Sequence, residues 1–203
     1  VAVAPTVLVV NPKFPAKNYA EFIALMKANP GKYSYASAGS GGTPHLSAEM
    51  FKLRTKTFIT HIPYKGAAPA VTDLIGGQVD MSFDTITPVL PFIKEGKLKA
   101  LAVTTAKRSS TLPNVLTLQE AGIPNIAIGT WFGLLAPAAT PRSVVARLNS
   151  EVVKIIHSPE FRKQMLDIGA EPIGNKPEEM ARQIKEETEK FAQLVKAGRV
   201  TLD

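Results

Sequence analysis

The chain has 203 residues, 45% of them apolar and 20% charged, the make-up of a globular protein with a buried core and not of a disordered or fibrous one. It contains no cysteine, which excludes disulfides and thiolate metal sites. The net charge of +7 and the sequence pI near 9.6 come from lysines spread along the chain, with no arginine-rich run and no aromatic–basic alternation, so the balance points to anionic small molecules and away from nucleic acid.

The longest apolar runs are too short to span a bilayer. Val1 to Val10 is apolar apart from Pro5 and Thr6, but it has no basic leader and no small-residue cleavage site, so it reads as a strand, centred on Thr6–Val10. Asn18–Asn29 has helical spacing, with Tyr19, Phe22, Ile23 and Met26 on one face. Asn18 and Glu21 form a capping pair at its start, and Asn29-Pro30-Gly31 ends it. Tyr33–Ser37 is the second strand and opens into a glycine-rich turn.

The turn continues as Ala38-Gly39-Ser40-Gly41-Gly42-Thr43-Pro44-His45, and a helix begins within it. Thr43 is the expected N-cap, with Pro44 at the first helical position. Glycines 39, 41 and 42 free the backbone and keep side chains away, so N–H groups collect at the positive end of a helix. No Lys-Ser or Lys-Thr follows, which excludes a P-loop, and residue 44 is proline where the dinucleotide fingerprint has its third glycine. A carboxylate or phosphate suits the loop; a tight strand–helix turn without ligand is the alternative. The helix expects Leu46, Met50 and Leu53 on its buried side.

Phe58–Ile62 is the third strand. It leads into Pro63-Tyr64-Lys65-Gly66-Ala67 and a helix carrying Ala70, Val71, Leu74 and Ile75, stopped by Gly76-Gly77. Val79–Phe83 is a fourth strand with Asp84 and Thr85 at its end, followed by a helix to Lys94 and a fifth strand over Leu98–Thr104. A looser stretch precedes a strand within Ile126–Pro137 that contains Trp131-Phe132. Helices follow, with matching starts at Thr140-Pro141 and Ser158-Pro159, and a last one runs from Pro177 to Ala197 with a solvated face of Glu and Lys. The first of these carries Val145, Leu148, Val152 and Ile155 at helical spacing, and the last expects Met180, Ile184, Phe191 and Leu194 inward. Strands alternating with helices imply an α/β fold with a mostly parallel sheet.

Strand carboxyl ends converge on a ligand crevice in such a sheet. That brings together residues 38–45, Tyr64-Lys65-Gly66-Ala67 and Asp84-Thr85. Each has a plain structural alternative: Lys65 as a solvated cation, Tyr64 as packing, His45 as a satisfied core histidine, Asp84 as a helix cap. His61 and His157 have no partner at ligand spacing. No Gly-x-Ser-x-Gly elbow and no metal-spaced His or carboxylate group is present, so neither catalysis, a metal nor a cofactor is expected.

Four ordered blocks carry a resemblance. They are Tyr35 to Leu46; His61-Ile-Pro-Tyr-Lys-Gly66 with Pro69 to Asp80; Leu101-Ala-Val-Thr-Thr105 with Pro113, Thr117 and Glu120-Ala-Gly122; and Trp131-Phe-Gly133 with Ala136-Pro137 and Thr140-Pro141. Together they resemble the Bug type of periplasmic solute-binding receptor, the extracytoplasmic component of tripartite tricarboxylate transporters. The resemblance implies a two-lobed α/β periplasmic binding protein fold, type II-like, that closes over a small carboxylate and hands it to membrane transporter subunits. It implies no enzyme activity, cofactor or metal, and a periplasmic location. It places the ligand on residues Ala38, Gly39, Ser40, Gly41, Gly42 and Thr43, with His45 beside them, and on Tyr64, Lys65, Gly66, Ala67, Asp84 and Thr85. Family members carry a further N-terminal segment with nothing corresponding before Val1, so the chain is expected to be truncated. Residues 32–128 are expected to form a complete second lobe, and 1–31 with 129–203 a partial first lobe prone to self-association. The alternatives are an effector domain of a transcription regulator, for which no helix-turn-helix segment is present, and an enzyme using the anion site.

Overall fold

A computed structural model describes residues 1–198 and 200. The apolar run at the start forms one long strand, β1 (Ala2–Val10), four residues longer at its front than the sequence predicts. Around it lie β2 (Ser34–Ser37), β3 (Thr60–Pro63), β4 (Met81–Thr85) and β5 (Lys99–Val103), in the order β3-β2-β4-β1-β5. β2 is parallel to β3 and β4, as four successive strand–helix units suggest. β1 is antiparallel to both its neighbours, β4 and β5, so the sheet is mixed. Strand propensity in β1 shows that it is buried but carries no information about direction, which is set by partners distant in sequence.

The period of two along β1 divides the core. Leu8 and Val10 face one side, with Tyr35, Met81 and Phe83, and are covered by Phe22 and Met26 of α1 (Tyr19–Ala28) and by Met50 and Phe51 of α2 (Thr43–Thr55). Val7 and Val9 face the other, with Ala36, and are covered by Val71 and Leu74 of α3 (Ala67–Gly76) and Ile86, Val89 and Leu90 of α4 (Ile86–Lys94). Asn18 caps α1 as the sequence predicts: its Oδ1 accepts from Glu21 N–H at 2.9 Å while Glu21 Oε2 accepts from Lys17 N–H at 2.7 Å.

The front of β1 belongs to a second body. Ala2–Pro5 pairs with β6 (Gly129–Phe132), and Ala2 and Val3 with the short β7 (Glu171–Pro172). The first thirty-one residues therefore divide: 2–5 join the strands of 129–198, while 7–10 and α1 pack with the elements of 32–128. Residues 199 and 201–203 of the expected first lobe lie outside the described residues. Helices α5 (Arg142–Ile156), α6 (Pro159–Asp167) and α7 (Pro177–Gly198) complete this body, and α7 returns to lay Phe191 and Leu194 on the α2 side of the sheet. Of the two matching helix starts, only Ser158 caps, accepting from Phe161 N–H at 3.3 Å; α5 begins after Pro141 without a side-chain cap.

One inward expectation fails: Leu53 is 42% exposed. Leu148 and Ile155, which share helical spacing on α5, are 54% and 57% exposed. Leu53 sits in the last turn of α2 and Ile155 in the last turn of α5, while Leu148 lines a groove of about 570 Å³ with Leu134, Leu135, Val152, Met180 and Ile184. Helical periodicity marks a face as apolar but not what covers it.

Two chain segments cross between the bodies, and one residue ties them. Thr104, buried directly after β5, donates its N–H to Thr6 O at 2.9 Å and its hydroxyl to Ile128 O at 2.7 Å, and accepts Ile128 N–H at 3.0 Å. Gly129 follows, where a Cβ would stand 3.1 Å from Val3 Cγ2 and 3.3 Å from Ala4 O. No helix among the described residues is long and apolar enough to cross a membrane.

Candidate functional site

β2, β3 and β4 each deliver the chain at the carboxyl end of the sheet into the amino end of a helix. α2 starts from Gly42, α3 from Gly66 and α4 from Thr85, and none of the three has a side-chain cap. The positive ends of three helices thus gather at the carboxyl ends of β2, β3 and β4. Thr43, expected as the cap of α2, is instead its first residue, and glycine takes the cap position. That shift leaves the first turn without a competing side-chain oxygen.

The glycine loop and the β3–α3 turn are physically joined. Gly66 N–H donates to Ala38 O at 3.1 Å, and Tyr64 N–H to Ser37 O at 3.0 Å. Gly41 and Gly66 have φ of +80° and +110°, values that favour glycine. Ala38, Gly39, Ser40, Gly41 and Thr43 are half-buried and Gly42 is exposed, so the loop forms the floor of an opening.

Inside the loop two N–H groups are already used. Gly39 N–H donates to Ser37 Oγ at 3.3 Å and Gly41 N–H to His45 Nδ1 at 2.9 Å. His45 is buried, and its Nδ1 faces its own loop and not the opening. Its ring stacks on His61 at 4.0 Å, and His61 stacks on Tyr35 at 4.7 Å. His61 Nε2 lies 2.7 Å from Ser37 Oγ, so the strand histidine to which the sequence assigned no partner belongs to the same cluster. Below the stack, Glu49 accepts from Tyr35 Oη and from Lys52 Nζ, both at 2.7 Å, and lies 3.8 Å from His45 Nε2. Burial and the Glu49 carboxylate push the Tyr35 phenol far above its ordinary range, so it stays a hydrogen-bond donor.

The other expected residues separate. The Tyr64 hydroxyl donates to Asp73 Oδ2 at 2.7 Å, which turns the ring onto α3. Burial and that carboxylate both raise its pKa. Lys65 is exposed and Ala67 half-buried at the start of α3. Asp84 lies within β4 and not beyond it, opposite Val7 and on the face covered by α3 and α4. It is 1% exposed, and its Oδ2 has no hydrogen-bond partner. Burial lifts its pKa to about 6 against the lowering effect of the Thr85 N–H. Thr85, the last residue of β4, pairs with Thr6 and has its hydroxyl 3.5 Å from that of Thr130 in β6.

The second body supplies an opposing wall that includes Trp131. A cavity of about 280 Å³ is lined by Thr43 from α2, Gly129, Thr130 and Trp131 from β6, and Ile184, Glu187, Thr188 and Phe191 from α7. Trp131 Nε1 donates to Glu187 Oε2 at 2.7 Å, which fixes the indole along this wall. Thr130, Glu187 and Thr188 lie far from the glycine loop in sequence; the clue available was Trp131 on a strand. The described residues contain no cluster of His, Asp and Glu suited to a metal ion. A floor of helix N–H groups, hydroxyls from two bodies and an aromatic wall can hold a small anion by directional hydrogen bonds.

Comparisons with known proteins identify the family and the fold. The family model described as tripartite tricarboxylate transporter family receptor matches residues 1–199. A protein of Pseudomonas sp. strain P51, called UPF0065 protein in tcbD-tcbE intergenic region, is 39% identical over 96% of this chain and 58% of its own length. Among solved structures, R. palustris Rpa4515 with adipate superposes with a TM-score of 0.89 at 34% identity, over all of this chain and 68% of its own. The periplasmic binding protein BugD does so with a TM-score of 0.85 at 36% identity, over all of this chain and 69% of its own. The chain thus spans a little over half the length of the curated relative it matches.

Proposed function

The chain belongs to the tripartite tricarboxylate transporter receptor family, and from that premise we propose that it captures a small carboxylate outside the cytoplasmic membrane for delivery to transporter subunits. The observation that carries this reading is the convergence of three helix amino ends without side-chain caps, α2, α3 and α4, on one opening between two bodies. A carboxylate placed there accepts N–H groups at the positive ends of helices, the arrangement that stabilises an anion without an arginine. Family resemblance to Rpa4515, whose structure holds adipate, supports a dicarboxylate as the ligand class. A periplasmic location and the handing of ligand to membrane subunits rest on the family.

On this reading residues 38–43, Gly66, Ala67 and Thr85 form the floor of the site and Thr130 and Trp131 the opposing wall. His45 supports the loop from beneath. Tyr64 is held by Asp73, and the buried Asp84 acts through its neighbours and not by direct contact. The two bodies act as lobes that meet at Pro5–Thr6 and Ile128–Gly129, with hinge closure over the ligand. The groove bearing Leu134 and Leu135 supports self-association of this chain.

A thermal-shift panel of succinate, malate, adipate, citrate and benzoate tests the reading. A ligand at about a hundredfold excess over its Kd raises stability by about 2.7 kcal/mol. Stabilisation by one or more of these acids is the expected outcome; stabilisation by none, with a sequence-specific shift of duplex DNA in a gel, favours a regulator's effector domain instead.

A further inference from the structure

Five residues join β2 to α2, and two of them, Gly39 and Gly41, have φ of +141° and +80°. Such a loop has few side chains of its own to fix it, and its shape has to come from what grips it. The grip is the His45 ring. Its Nδ1 accepts the Gly41 N–H at 2.9 Å, so this nitrogen carries the lone pair and not a proton.

The ring itself is held from two sides. It lies against His61 with ring centres 4.0 Å apart and 13° between planes; His61 lies against Tyr35 at 4.7 Å and 19°. Tyr35 is anchored through its hydroxyl to Glu49, one turn beyond His45 on the same helix, and Glu49 is held by Lys52. From Tyr35 in β2 through His61 in β3 to His45 in α2, the stack runs under the site loop and ends on the Gly41 amide.

We infer that His45 is a positioning residue whose Nδ1, by holding the Gly41 N–H, keeps the glycine loop in the shape that receives a carboxylate, and that protonation of Nδ1 releases the loop. This rests on the receptor reading of residues 38–43. A protonated Nδ1 turns its N–H on the Gly41 N–H, and two donors at 2.9 Å repel. Histidine ordinarily changes charge between about pH 5 and pH 8, and at His45 burial and the positive amino end of α2 oppose that change. The groups facing His45 act in both directions: Glu49 on α2, 3.8 Å from Nε2, favours its protonation, whereas Lys52 and a protonated His61 oppose it, and Tyr35 stays neutral.

The test compares the wild-type chain with His45→Asn, whose Oδ1 replaces the Nδ1 acceptor but does not titrate, and His45→Phe, which keeps a stacking ring but has no acceptor. In amide-correlated NMR from about pH 8 to about pH 5, the wild-type Gly41 amide should move together with the His45 ring signals. In His45→Asn it should stay in place, and in His45→Phe it should lose hydrogen-exchange protection already at the higher pH. With malate and adipate as probes, wild-type affinity should fall about tenfold over that range, the scale of one lost hydrogen bond. His45→Asn should bind with a flat profile, and His45→Phe should be weak throughout. Protonation of Asp84 occurs equally in all three proteins, so differences between them belong to residue 45.

If the acids bind but the Gly41 amide ignores His45, or His45→Phe binds as the wild type does, the inference falls and the receptor reading stands. If neither acid binds any of the three proteins and no other acid of the panel stabilises the chain, the receptor reading fails and takes the inference with it.

Discussion

The N–H of Gly41 donates to Nδ1 of His45 at 2.9 Å, so the loop expected to point its amides at a ligand spends one of them on its own helix. The loop is thereby stiffened before any ligand arrives. Pre-shaped donors lose less entropy on binding than mobile ones, and this offsets the loss of one potential contact.

Replacing Gly41 tests that stiffness. At φ +80° a β-branched side chain is strained by about 1–2 kcal/mol. Gly41→Val should keep the far-ultraviolet circular dichroism of the wild type while losing most of its affinity for any acid that stabilises the parent. Unchanged affinity in calorimetric titration would remove residues 38–43 from the site.

Asp84 predicts an unusual pH dependence of stability. Its pKa rises from 3.8 in an exposed carboxyl to about 6 in the fold, so the folded chain binds the proton more tightly than the unfolded one. The stability gained from that proton is fully present below the unfolded value and is lost as pH rises through about 6. Asp84→Asn should therefore be more stable than the parent at about pH 8, by about 1–3 kcal/mol, and lose that advantage near pH 4. Urea midpoints at the two pH values decide it; equal midpoints at the higher pH would show that Asp84 finds a partner in solution.

Gly129 stands where the chain passes from one body to the other. A methyl there would lie 3.1 Å from Val3 Cγ2 and 3.3 Å from the carbonyl oxygen of Ala4, and the latter is backbone that yields little. Gly129→Ala should cost about 1–3 kcal/mol of stability in chemical denaturation. A neutral result would mean that β1 and β6 separate at this point without penalty.

Leu134 and Leu135 are 67% and 79% exposed beside the α5–α7 groove. Size-exclusion chromatography with light scattering should give a mass above that of one chain for the wild type, and Leu135→Glu should reduce it. A wild-type chain that runs as a monomer at high concentration would contradict self-association.

Much of this fold was legible in the sequence. The helices from Asn18, Pro159 and Pro177 lie where caps, proline and apolar spacing put them, because those signals are local. The strand before the glycine loop and the helix after it were legible for the same reason. The direction of β1 was not, since Val7–Val10 would read alike in a parallel or an antiparallel ladder. Nor was the role of His61, whose partner Ser37 is 24 residues away and meets it only because β2 and β3 pair in register. Asp84 was expected at a strand end and lies inside one, because a carboxylate in β4 breaks the apolar pattern that defines strands. Thr130 and Glu187 reach the cleft only through the pairing of β6 with β1 and the return of α7, neither of which leaves a local trace.

The central claim is that a carboxylate sits on the amino ends of α2, α3 and α4 between the two bodies. Mapping amide NMR shifts on titration with malate and with adipate tests it most directly. The account predicts saturable shifts at residues 38–43, Gly66, Ala67, Thr85 and Thr130 with at least one of the acids. Shifts confined to the groove of Leu134, Leu148 and Met180, or none at all with either acid, would contradict it.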